Sequence, residues 1–297
     1  MGAMGCGAFA LQAAVACAQG AAPAAGDPDL SAILSQLEAN IGKNFRIASR
    51  YASDIVETEF VSDMKGKVLS HHSDKRELVF IDGLPYIRRV EKDGRPLSAK
   101  KQKASQVLLD EMRGLAGDSD FTLEMVGQDP HNNIYSGLPI CCLSSLFDNR
   151  VVGREVIDGR DNIVIESTPR ANATPASEHE RTALDWKETT WIDVRDVMPT
   201  RYDVELLNDI KYLTKGTTDR TDFMRVEAAG TAEGDAKQVV WLVRSGSCRL
   251  EYLWQGKRTR EIAEDQCVNY RKFRGEMRVL QDSVREVPSG SPAKQTP

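Results

Sequence analysis

Apolar positions recur at helical spacing at the start of the charged part of the chain. Leu30, Ile33, Leu34, Leu37 and Ile41 make one stripe between Asp27 and Lys43, the pattern of a helix with a single buried face. Asp27 or Asp29 is placed to cap its start, Pro28 is tolerated in a first turn, and Gly42 falls near its end. From Phe45 the period shortens to two. Between Arg50 and Ser62, Val56, Thr58 and Phe60 alternate against Glu57 and Glu59, which predicts a half-buried strand with the apolar residues inward. Residues 77–82 and 86–92 read as further strands, each followed by an Asp-Gly pair (Asp82-Gly83, Asp93-Gly94) that favours a tight turn.

A second helix is predicted over about 98–114. Ala104, Val107, Leu108 and Met112 lie on its apolar side, with Lys100, Lys101 and Lys103 on its wet side. Gly, Asp, Asn and Pro break up 116–149, where a short helix is expected near 140–147. Strands then dominate. Val151–Ile157, Asp158-Gly159 and Asn162–Ser167 give a hairpin signal. Residues 169–180 read as a loop, and 184–194 with 200–207 as the next hairpin. There Tyr202, Val204 and Leu206 alternate with Arg201, Asp203 and Glu205. Further strands are expected at 220–228, 238–244, 247–255, 258–264 and 267–274. The absence of regular βαβ alternation argues against a parallel nucleotide-binding sheet.

The first 26 residues carry no charge, and an Ala-rich apolar run over 7–18 precedes a small-residue stretch. This reads as a secretory leader. Ala16-Cys17-Ala18 fits a cleavage site, while Ala14-Val15-Ala16-Cys17 resembles a weak lipobox that would leave Cys17 lipidated. The competing readings are an Ala/Gly arm on a cytosolic protein, or a membrane helix, for which the run is short. The expected organisation is a leader and linker over 1–26, a single domain over 27–280, and a disordered tail over 281–297. The expected location is the periplasm or beyond.

Charge narrows the partners. The net charge of −5 is too acidic for generic nucleic-acid binding, and a solvated strand face accounts for the basic clusters at 86–103 and 256–274. Of six cysteines, Cys6 and Cys17 fall in the leader and Cys141, Cys142, Cys248 and Cys267 remain. Cys248 and Cys267 flank a predicted hairpin and are the expected disulfide. Cys141-Cys142 would be a vicinal bridge or two buried thiols.

Catalytic spacings are lacking. No G-x-S-x-G, G-x-x-x-x-G-K-[ST], H-E-x-x-H or G-x-G-x-x-G occurs. His71-His72 is expected in a solvated turn, since adjacent side chains on an extended chain point apart. The sequence therefore assigns no catalytic residue, cofactor or metal site. All four Trp (Trp186, Trp191, Trp241, Trp254) fall on predicted strands. Trp186, Thr190, Ile192 and Val194 share a face, as do Leu250, Tyr252 and Trp254. These faces read either as ordinary core or as a greasy concave surface open to a ligand.

The order of elements, with Trp191-Ile192-Asp193 followed by Met198-Pro199-Thr200-Arg201-Tyr202, resembles the LolA/LolB-type periplasmic lipoprotein-sorting superfamily and its RseB-type relatives. The resemblance implies an α+β, mostly antiparallel fold. It would be a strongly curved half-open β-barrel of about 10–12 strands, with an N-terminal helix and one or two inserted lid helices. It also implies a non-enzymatic carrier for a lipid or lipidated protein, acting as a monomer. The expected cavity wall comprises Val56, Phe60, Phe80, Trp186, Ile192 and Tyr202, continued by Val204, Tyr252 and Trp254. Val107, Leu108 and Met112 would lie at the lid, with Leu143 and Leu146 beside them. A sensor or scaffold binding an envelope protein with the same fold, and an exported hydrolase with two or three convergent carboxylates, are the competing functions.

Overall fold

A computed structural model of the chain describes residues 29–272, apart from 82–83, 116–142, 177, 211–212, 229–237 and 255–256. The leader, the tail, Cys141-Cys142 and the Asp82-Gly83 turn lie outside these residues.

Helix α1 spans Leu30–Ala48 and is capped by Asp29, whose carboxylate accepts from the amides of Ser31 (3.0 Å) and Ala32 (3.4 Å). It runs past Gly42 and past Phe45, where strands were expected to begin. Its stripe packs as the spacing predicts: Leu34 and Leu37 are buried, and Leu30, Ile33 and Ile41 lie against the same cluster. Burying each of the two leucines contributes about 2 kcal/mol.

The strands that follow are β1 (Tyr51–Asp63), β2 (Val68–Ile81), β3 (Leu84–Lys92) and the short β4 (Arg95–Pro96). Helices α2 (Ala99–Leu115) and α3 (Leu143–Leu146) precede β5 (Phe147–Ile157) and β6 (Arg160–Pro169). Helix α4 (Glu178–Ala183) begins at the end of the predicted 169–180 loop and leads into β7 (Trp186–Asp193), β8 (Pro199–Leu206) and β9 (Thr218–Ala228). The chain closes with β10 (Gln238–Trp254) and β11 (Lys257–Lys272), each one long strand where two were expected.

These strands form one antiparallel sheet in the order β4-β3-β2-β1-β11-β10-β9-β8-β7-β6-β5. The meander from β5 to β11 is joined to β1, so the two ends of the described chain pair with each other. Among the described residues, strands β4 and β5 are the two edges of the sheet, so the barrel is half-open. Two Asp-Gly turns behave as predicted. Asp93 and Gly94 have φ of 50° and 71°, and Asp158 and Gly159 have 52° and 73°, the backbone that tight hairpin turns require. His71 and His72 lie inside β2 rather than in a turn, and the His71 ring stacks on Phe60 with centroids 4.3 Å apart.

Register divides the sheet into two faces. The inner face carries the main core: Ile55, Leu78, Ile163, Ile165, Ile192, Tyr202, Phe223 and Val243, with Leu34 and Leu37 of α1 laid on them. On the opposite face, Val240 and Leu242 pack with Ala48 and Tyr51 in a smaller cluster.

Candidate functional site

Helix α1 is held over one end of the inner face by two asparagines. Asn44 bonds the Trp241 backbone twice, its Nδ2 donating to the carbonyl and its Oδ1 accepting from the amide, both at 2.8 Å. Asn40 Nδ2 donates to the carbonyls of Asp196 (3.1 Å) and Val197 (3.2 Å). Those carbonyls belong to the turn after Trp191-Ile192-Asp193, which is built around one buried carboxylate. Asp193 Oδ1 accepts from the amides of Arg195 (3.0 Å) and Asp196 (2.7 Å). Arg160 grips both of its oxygens at 2.6 and 2.7 Å. Burial pushes the Asp193 carboxyl up, but the Arg160 bonds and the turn amides overcome this and hold it below the ordinary range. The hairpin motif singled out in the sequence is thus the seat of the N-terminal helix.

Away from α1 the inner face turns polar. Cross-strand pairing defines its rows, with neighbouring side chains about 5 Å apart. One row runs Ile165, Thr190, Tyr202, Thr221, Gly246, Asp265, Glu57, Asp74 from β6 round to β2. The next runs Ser167, Glu188, Val204, Asp219, Cys248, Ala263, Glu59, His72. Beyond them Leu250 faces Glu261. Carboxyls from β1, β2, β7, β9 and β11 therefore share one surface.

Arginines serve some of them. Arg76 pairs with Glu57, both side chains being buried, and Arg89 reaches Asp74 at 2.7 Å. Glu261 accepts from the Tyr252 hydroxyl at 3.0 Å. Glu188 differs. It is 0 % exposed, and neither carboxyl oxygen has a hydrogen-bond partner of normal geometry. The buried Thr190 Oγ1 and Ser53 Oγ and the Asp265 Oδ1 are likewise unpartnered. Burial pushes the Glu188 carboxyl up to about 8, with the Tyr202 phenol pulling weakly the other way. Asp219 is pushed up to about 7 by burial, then by the charges of Asp265 and Asp203. Asp265 also rises to about 7, from burial and from Glu57, against Arg76.

The expected site residues divide. Phe80, Ile192 and Tyr202 are in the inner core and Val204 packs against it. Trp186 shares the inward parity of Glu188 and is partly buried, as is Tyr252 in the row beyond. The Trp254 side chain lies outside the described residues. Val56 and Phe60 stand on the outer face, 41 % and 40 % exposed. Ile55 meets Cys267 on the inner side, and strand parity then sends Glu57 inward and Val56 outward. Helix α2 lies at the sheet edge, where Ser105 O accepts from the Tyr86 hydroxyl at 3.0 Å. Its Val107 is half exposed, and the side chains of Leu108 and Met112 lie outside the described residues. Leu146 is buried in the core, while the Leu143 side chain is outside the described residues. The element over the apolar inner surface is α1.

The expected disulfide does not form. Cys248 and Cys267 are both free. Cys248 lies opposite Ala263, and Cys267 sits four residues further along β11. At about 3.3 Å per residue that separation is near 13 Å, far beyond the roughly 7 Å a bridge spans. Burial raises both thiols to about 12, which leaves them unreactive at neutral pH.

An open groove of about 430 Å³ lies across β7 to β11. Most of its lining has outward parity, including Lys187, Asp203, Glu205, Arg220 and Arg249. It is charged in both signs and lacks the apolar wall an acyl chain needs. Among the described residues no group of three or more His, Cys, Asp or Glu is arranged to hold a metal. Among them, too, no helix is long and apolar enough to cross a membrane.

No family model matches the chain, and no curated protein matches it. Solved structures similar to it include a DUF1329 family protein from Desulfovibrio piger, at 14% identity over 81% of this chain and 92% of that one, with a TM-score of 0.34. A LolA superfamily protein from Nitrosomonas europaea is similar at 10% identity over 80% and 94%, with a TM-score of 0.27. The MucA/MucB complex of Pseudomonas aeruginosa is similar at 14% identity over 84% and 100%, with a TM-score of 0.23.

Proposed function

We propose that the protein is an exported, non-enzymatic binding or carrier protein that takes an amphipathic ligand, a lipid or a lipidated protein, on the inner face of its half-open barrel. One observation carries this reading. The inner face is apolar beneath α1 and polar beyond it, and its polar half holds buried side chains whose hydrogen bonds are unmet. Buried polar groups without partners are costly to a fold, and a polar ligand would meet that need. Val204, Trp186 and Tyr252, partly buried where the apolar half gives way to the polar one, would meet the acyl part. Each buried methylene would contribute about 0.8 kcal/mol.

Convergent carboxyls are also what a hydrolase would show; the carrier reading rests instead on the apolar half of the same face. A protein partner is the second reading, favoured by the exposed Val56, Phe60, Val68 and Leu69 at β1 and β2. It predicts partner capture that survives substitution on the inner face.

Two measurements on protein purified from its own envelope test the carrier reading. Organic extraction followed by mass spectrometry should release a stoichiometric lipid, and the emptied protein should take up a fluorescent acyl probe. Finding neither would sink the reading.

A further inference from the structure

We propose that the acidic half of the inner face is a receptor for a cationic head group, the ammonium of an amphiphile, with Glu188, Asp219 and Asp265 as its counter-charges and Thr190 as a neutral acceptor. The inference rests on the carrier reading and names the polar end of its ligand.

The first support is the charge balance. Arg76 and Arg89, the arginines in the adjoining inner row, are committed to Glu57 and Asp74. No ion pair reaches Glu188, Asp219 or Asp265 among the described residues. A surface carrying such an excess of carboxyls repels an anionic head group and attracts a cationic one.

The second support is independent of charge. Thr190 is 1 % exposed, its Oγ1 has no hydrogen-bond partner, and it stands two residues from Glu188 on the same face of β7. A hydroxyl and a carboxylate left open side by side suit a donor-only group. An ammonium carries three donors and no acceptor. Asp219, Asp265 and Glu59 are partly exposed and mark the way in, with fully buried Glu188 at the bottom.

The groups facing Glu188 come from each neighbouring strand. Strand β6 contributes Ser167, which donates to Asn149 at 2.6 Å, and β8 contributes Val204 and Tyr202. Strand β9 contributes Asp219 beyond Val204. None of these is a cation. Burial has raised these carboxyls, so an arriving ammonium favours their charged form, and binding near pH 7 should release protons to the buffer.

The test compares n-dodecylamine with n-dodecanol by titration calorimetry on the delipidated full chain at pH 8.5 and low salt. The expected result is amine binding at least about tenfold tighter than alcohol binding, with charge-assisted contacts supplying the difference. In E188Q and D219N the preference for amine over alcohol should fall about tenfold, with an unchanged circular-dichroism spectrum reporting an intact fold. Proton release, read from the heat difference between two buffers at pH 7, should accompany the amine alone. Equal affinity for amine and alcohol in the unmodified protein overturns the receptor and leaves the carrier reading standing. A preference that persists in both variants also overturns it. Binding of neither probe removes the carrier reading itself.

Discussion

At the scale of single residues, two buried carboxyls with opposite surroundings define the molecule. Asp193 is fully satisfied by Arg160 and by two amides, and it fixes the turn on which α1 is seated. Asp193→Ala should cost about 3 kcal/mol in urea unfolding, because Arg160 loses its bidentate partner and the turn loses its acceptor. Asp193→Asn, which keeps an acceptor for the amides, should cost less. Equal costs for both would place the stabilisation elsewhere. Glu188 is the reverse case, buried with no cation and only the weak pull of the Tyr202 phenol to reward its charge. Glu188→Gln should stabilise the unliganded protein at pH 8.5 and change little at pH 5, where the native carboxyl is already neutral. Glu188 leaves one trace in the sequence. It interrupts the inward stripe of Trp186, Thr190 and Ile192 with a charge, and an ionisable residue on the buried parity of a strand signals a site or a partner. On β1 the same kind of reasoning chose the wrong parity. Val56, Thr58 and Phe60 alternate cleanly, yet Ile55 and its contacts with Cys267 decide which set is buried.

At the scale of elements, α1 is the one whose attachment matters. An apolar stripe supplies its adhesion, and Asn40 and Asn44 supply its position. Asn44→Ala removes two hydrogen bonds to the Trp241 backbone and should destabilise by about 1–3 kcal/mol. Hydrogen exchange should show the loss concentrated in α1 and the start of β10. Uniform loss of protection over the whole sheet would mean that the helix is not a separately seated element. Leu37→Ala should cost about 2–5 kcal/mol, since the side chain is fully buried. The helical stripe was legible because local spacing alone determines it. The hairpins at Asp93-Gly94 and Asp158-Gly159 were legible for a similar reason, as both need a positive φ that this pair tolerates. The lengths of β10 and β11 were not. Each was read as two strands, with breaks at 245–246 and 265–266, while continuous pairing with neighbours on both sides carries the strands through.

At the scale of the whole molecule, the buried acids should set the response to pH. Glu188, at about 8, and Asp219 and Asp265, at about 7, bind protons more tightly in the folded chain than in the unfolded one. Their contribution is complete below the unfolded carboxyl range near pH 4 and is lost as pH rises through about 7 to 8. For Glu188 alone the upper bound is about 5 kcal/mol, and solvent relaxation will reduce it. Asp54, Glu166 and Asp193 act oppositely. Their pKa values are lowered by hydrogen bonds and ion pairs, so their contribution is present above the unfolded range and fades as pH falls below it. Stability in urea should therefore peak near pH 5 and decline toward pH 8.5, with a shallower decline in Glu188→Gln. A stability that stays level or rises over that interval would contradict the burial of these carboxyls.

Sequence by itself determined what depends on neighbours along the chain: the capped amphipathic helix, the tight Asp-Gly turns, the alternation in β8, the predominance of antiparallel strands and the acidic balance. Tertiary structure decided what depends on register. It chose the parity of β1, kept Cys248 and Cys267 apart, seated α1 on the Asp193 turn, and brought Glu57, Asp74, Glu188, Asp219 and Asp265 onto one surface. Those carboxyls come from five strands far apart in sequence. No local pattern relates them, because only cross-strand pairing converts distance along the chain into adjacency in space.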